Sequence, residues 1–102
     1  MIIRADLDAG SVALVESRDF GGFHVAVAGG GVDDERLGAV LSSYGRLDGD
    51  HAWIDVDAVD ALAGEAADDD WRAGFDGMVA YARDKGFLDD SGTAIRAHLE
   101  PA

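Results

Sequence analysis

Three histidines, His24, His51 and His98, are the residues in this chain best suited to bind a metal or move a proton. Each falls in a stretch that reads as a strand, and Asp55 follows His51 closely. If those strands are neighbours, three imidazoles and a carboxylate would suit an ion such as zinc. No short ligand pair such as HxH or HxxxH anchors the set, and His98 alternates with Arg96 and Glu100 as on a solvated face. The expectation is three unrelated histidines, with no metal and no cofactor.

The run Gly29-Gly30-Gly31 before Asp33 has the outline of a phosphate-binding turn. It lacks the dinucleotide spacing and the Lys-Ser/Thr ending of a P-loop. Asp33, Asp34 and Glu35 occupy the place of an anion, so the run reads as a flexible turn. Asp55, Asp57 and Asp60 suggest hard-cation binding, but apolar residues at helical spacing interrupt them and the calcium-loop pattern is absent. With 21 acidic residues in the chain, close carboxylate pairs are inevitable and say little. No serine lies in a GxSxG elbow, so the catalytic residues stay unassigned and the balance leans away from an enzyme.

A surface carries more information. In Asp68 to Phe87, the residues Trp71, Phe75, Met78, Val79 and Ala82 share one helical face, with Asp68–Asp70 at the start and Gly86 at the stop. Gly74, Gly77 and Tyr81 lie along one flank beside it. Each interior glycine costs about 1 kcal/mol relative to alanine, so two suggest either close packing within the domain or the approach of another backbone, a partner subunit or a flat ligand. Tyr81 would anchor that approach, and Trp53 is a second candidate anchor.

The elements that must position these residues follow from periodicity. Met1–Asp8, Val12–Glu16 and Phe23–Ala28 read as strands, the third covered on both sides. A helix from Asp33 to Tyr44 stops at Gly45, and Arg46–Asp50 reads as a polar loop. A short strand at His51–Ile54, a short helix after Asp55, the long helix and a last strand at Ala94–Glu100 complete the order β-β-β-α-β-α-α-β. That order predicts a single α+β domain over residues 1–102: a two-layer sandwich with a mostly antiparallel sheet of about five strands and helices mainly on one face.

The net charge of −13 repels phosphate backbones and anionic lipid, so direct nucleic-acid contact and membrane docking are not expected. There is no cysteine, which removes disulfide and thiolate chemistry. The opening residues meet acid by Asp6, so neither a signal peptide nor an anchor is expected and a cytoplasmic location is the default. Lys85 is the only lysine, and with abundant Ala, Gly, Asp and Val this points to a high-GC bacterial or haloarchaeal genome.

The leading expectation is an acidic accessory domain that self-associates as a dimer or docks on a basic protein through a sheet edge or the Gly74/Gly77/Tyr81 flank. The alternative is a small-molecule site or small enzyme. Its cleft would lie between sheet and long helix, lined by Phe23, Trp53, Trp71 and Tyr81, with His24 or His51 as the polar group. A third reading is an acidic mimic of nucleic acid, using the clusters at Asp33–Glu35, Asp55–Asp60 and Asp68–Asp70.

Overall fold

Alternation of apolar and polar residues makes Ile2–Asp6 (β1) and Ser11–Val15 (β2) an antiparallel hairpin in the computed structural model, which describes residues 1–102. Gly10, at φ 65°, supplies the left-handed residue of the turn. His24–Ala28 (β3) then pairs with the other side of β1 and runs parallel to it, so residues 16–23 must cross beneath the end of β1. They cross over Met1, whose ammonium donates to the carbonyls of Asp19 and Gly21 and whose side chain is buried.

The first helix is shorter than its stripe predicts, Arg36–Leu41 (α1). Asp34 accepts from the Arg36 N–H at 2.9 Å, and Leu37 and Leu41 enter the core. Gly45 does not merely stop this helix. It opens a strand, Gly45–Asp48 (β4), which returns through Gly49 to His51–Asp55 (β5). The expected polar loop is therefore an edge strand. Its one large apolar residue, Leu47, is exposed, which leaves no alternation to read. The pairing itself demands glycine at 45, because a Cβ there would run into the Trp53 carbonyl.

Val56–Ala63 (α2), a 3-10 turn at Gly64–Ala66 and Asp69–Lys85 (α3) follow. The start and stop signals of α3 act as the sequence implies. Asp68 accepts from the Trp71 N–H at 2.8 Å, Gly86 takes φ 78°, and the Phe87 N–H returns to the Ala82 carbonyl at 2.7 Å.

The last strand, Ala94–Pro101 (β6), does not add to an edge. It inserts between β3 and β5, giving the order β2-β1-β3-β6-β5-β4. The sheet thus has six strands rather than about five, and it is mixed. The pairs β1/β3 and β3/β6 are parallel, and the other three are antiparallel. Pro101 ends the ladder opposite Val27, and the Ala102 N–H takes up the bond to the Val27 carbonyl that proline cannot make.

One layer of helices covers one face. Ile3, Ala5, Val25, Val27, Ala52, Ile54, Ile95 and Ala97 point into a single buried cluster with Leu37, Leu41, Val59, Trp71, Phe75 and Met78. β3 is central, as expected, but its second face, with His24, Ala26 and Ala28, has no helix over it and is only half-buried. No helix is long and apolar enough to cross a membrane.

Candidate functional site

The crossing segment before β3 is held down on the start of α3, and this builds one wall of a cleft. The buried Trp71 donates its indole N–H to the Ser17 carbonyl at 2.7 Å. Asp68 uses its second oxygen to bind Arg18 at 2.6 Å. The Trp71 N–H and then Arg18 hold the Asp68 carboxyl below the usual carboxylate range. Pinned at both points, the segment lays Phe20 across Gly74 and brings Phe20–Phe23 beside the middle of α3.

The opposite wall comes from the C-terminal closure of α3. Phe87 folds back over the helix end, accepts from the Arg96 N–H at 2.7 Å, and is followed by a bridge from Leu88 to Ile95. Asp89 fastens the turn beyond, accepting from the N–H groups of Thr93 (3.0 Å) and Ala94 (3.2 Å) and from the Ser91 hydroxyl. Burial pushes the Asp89 carboxyl up, but those donors, with Arg46 beside it, outweigh burial and hold it low.

Between the walls β6 changes neighbours. It pairs with Phe87–Leu88 at Ile95–Arg96, and with β3 only from His98 onward. At that fork lies a cleft of about 490 Å³. Phe20, Phe23, Met78, Tyr81, Phe87 and Ile95 form its apolar walls, and β6 borders it at Arg96 and His98, whose side chains alternate with the buried Ile95 and Ala97 and so belong to the sheet's other face. A cleft between sheet and long helix therefore exists, but its lining differs from the expected set. Phe23 and Tyr81 line it. Trp71 is sealed in the core, stacked on Phe75 at 4.8 Å, and Trp53 lies on the other face of the sheet. Of the three histidines His98 alone borders the cleft, through β6, and its side chain lies in line with those of His24 and His51 on the other face of the sheet.

The proposed helix flank divides in two. At Gly74 a Cβ would meet the Phe20 ring, so that glycine serves packing within the chain. At Gly77 nothing lies within 4 Å, and Tyr81 is 59% exposed with the Lys85 ammonium 5.7 Å from its ring centre.

The three histidines do share a row. His24, His98 and His51 are register partners across β3, β6 and β5 on the face without helices. His24 and His98 stack at 5.8 Å and both face Glu100, at 3.1 and 3.5 Å. His51 turns instead to Asp48 (3.4 Å) and Asp50 (3.1 Å). The row diverges into two carboxylate partnerships, and no group of three His, Asp or Glu side chains is arranged to hold a metal ion. Trp53 stands beside it, donating its indole N–H to Asp48 at 2.9 Å under the Arg46 guanidinium. The indole bond is the main reason the Asp48 carboxyl is held low, and His51 does the same for Asp50.

The glycine turn is filled from within. Arg36 spans the Gly29 carbonyl (2.9 Å), Asp34 (3.0 Å) and Asp8 (3.3 Å), so its charge is spent on carboxylates. Asp60 is paired with Arg72 at 2.6 Å, while Asp55 and Asp57 border a polar hollow with Ser43 and Thr93.

Sequence reasoning missed Phe20, Met78, Phe87, Arg96 and His98 as a set. Met78 and Phe87 were legible as core stripe and helix closure, but the fork that leaves them open depends on strand pairing. No family model, no curated protein and no solved structure matches this chain.

Proposed function

We propose that this chain is a small-ligand-binding domain and that its site is the cleft between α3 and β6. The observation that carries the reading is the cleft's make-up: about 490 Å³, walled by aromatic and aliphatic side chains and bordered by β6 from Ile95 to His98. Small-molecule sites have this size and are walled mostly by apolar and aromatic side chains. Two of the walls, Tyr81 and Phe87, are 59% and 41% exposed, and burying them against a ligand would recover apolar surface now facing water. The proposal stops at binding and includes no reaction.

A thermal-shift screen with aromatic fragments tests it. Fragments that bind the folded state raise Tm in proportion to the logarithm of their concentration over Kd. Tyr81→Ala and Phe87→Ala should each weaken those fragments; Tyr81→Ala should leave the unliganded Tm close to that of the parent, whereas Phe87→Ala should lower it, because Phe87 also closes the end of α3. Fragments that shift both variants as much as the parent would place binding elsewhere.

A second reading has its own observation. Gly77 is open and Tyr81 exposed on one flank of α3, which suits close approach of a second copy of the chain. Light scattering after size exclusion decides it: a concentration-dependent dimer weakened by Tyr81→Ala supports association, and a monomer at every concentration removes it.

A further inference from the structure

We infer that the cleft selects a protonated aromatic amine, with its ring system against the aromatic walls and its ammonium donating to the main-chain carbonyl of Arg96. This rests on the reading of the cleft as a ligand site.

The way α3 closes leaves the Arg96 carbonyl without a partner. The Arg96 N–H donates to the Phe87 carbonyl at 2.7 Å. Residues opposed in this way across an antiparallel pair exchange two bonds, so the Phe87 N–H would ordinarily return to the Arg96 carbonyl. It does not, because that N–H closes the helix on the Ala82 carbonyl, also at 2.7 Å. No other group in the chain donates to the Arg96 carbonyl, since the ladder with β3 begins only at His98. The N–H and C=O of a strand residue leave it on the same side. This oxygen therefore points into the fork between Phe87 and Phe23, where β6 borders the cleft. A carbonyl accepts and cannot donate, so the head group that satisfies it is a donor.

Among donors, an ammonium is favoured on two further counts. The net charge of −13 sets up a field that draws cations and repels anions. Four of the walls, Phe20, Phe23, Tyr81 and Phe87, are aromatic, and ring faces attract cations within about 6 Å of their centres. Tyr81 already shows that contact, with the Lys85 ammonium 5.7 Å from its ring centre. Two cations of the chain act against a bound ammonium. Lys85 is exposed and in no ion pair, so its side chain is free to leave the ring to a ligand. The Arg96 guanidinium lies across the sheet with Trp53, close enough to Asp50 to add to the effect of His51 on that carboxyl.

Four naphthalene compounds that share a ring system and differ in head group provide the test: naphthylmethylammonium, its N,N,N-trimethyl analogue, naphthalenemethanol and naphthoate. Their affinities are measured by calorimetry at about 0.15 M salt, and the carbonyl carbon of Arg96 is followed by NMR through the Ala97 amide. Charge-assisted bonds predict that the primary ammonium compound binds roughly tenfold or more tightly than the alcohol, with naphthoate weakest. The Arg96 carbonyl resonance should shift with the Kd that calorimetry gives for that compound. The trimethyl analogue keeps the charge but has no N–H, so it should bind more weakly and move that resonance less. Naphthoate binding as tightly as the ammonium compound, equal binding of alcohol and ammonium, or an Arg96 carbonyl that responds no more to the primary than to the trimethyl compound would overturn the inference. Failure of all four compounds to bind would remove the reading of the cleft itself.

Discussion

The ring of Phe20 occupies the space that any side chain at residue 74 would need, with three ring carbons under 3.0 Å from where a Cβ of Gly74 would stand. Gly74 is thus the point at which the crossing segment closes on the long helix, and Phe20 reaches the cleft because residue 74 has no side chain. Three residues on, Gly77 meets nothing. Two glycines on one helix therefore have opposite reasons to exist.

That contrast is measurable. Gly77→Ala adds a methyl group in open space and should stabilise the chain by about 0.5–1 kcal/mol through helix propensity alone. Gly74→Ala gains the same propensity but must displace Phe20, at a cost of about 1–3 kcal/mol for overpacking. Urea denaturation should rank Gly77→Ala above the parent and Gly74→Ala at or below it. Equal stabilisation by both would mean that Phe20 does not close on the helix.

Trp71 should be the most sensitive single position behind the wall of the cleft, in the core that supports it. It is fully buried, stacks on Phe75, and ties down the crossing segment through Ser17. Trp71→Phe keeps an aromatic ring but loses the indole bond and leaves a void, so a loss of about 2–3 kcal/mol is expected. A loss under about 0.5 kcal/mol, the range of ordinary surface changes, would show that the Ser17 tether carries no weight.

Acid should weaken the fold in a definite window. Asp34, Asp48, Asp50, Asp68 and Asp89 all have carboxyls held below 3.8 by hydrogen bonds and neighbouring cations. A depressed folded-state pKa contributes stability that is complete above the unfolded value and is lost as pH falls through it toward the folded value. The urea midpoint should therefore drop between about pH 5 and pH 3, even though protonation also relieves the self-repulsion of a −13 chain. A midpoint that rises over that interval would show repulsion to be the larger effect.

Much of this architecture was legible because local chemistry and final structure agree. The Asp68 cap, the Trp71–Ala82 stripe and the Gly86–Phe87 closure stand where the spacing put them. So do the first hairpin and the strand at His51. The strand at Gly45 was not legible, because an edge strand with one exposed leucine has no inward face to betray it. Nor was the parallel pairing of β1 with β3, which is set by the crossing segment and its tether to Trp71, contacts between residues far apart in the chain. The same limit hid the cleft. His98 and Arg96 read as a solvated strand face. Their side chains do stand on that open face, and only the switch of β6 from Phe87 to β3 brings the strand itself alongside Met78 and Tyr81.

The measurement that tests the central claim most directly is a methyl NMR titration of the parent chain with naphthalenemethanol, which has no charge and so asks only whether the cleft binds. The prediction is saturable, one-to-one binding, with shifts concentrated at the methyl groups of Met78, Ala82 and Ile95 and little change at Val59 or Leu41, buried elsewhere in the core. Shifts centred away from Met78, Ala82 and Ile95, or none at any concentration the compound can reach, would contradict the assignment of the cleft as the ligand site.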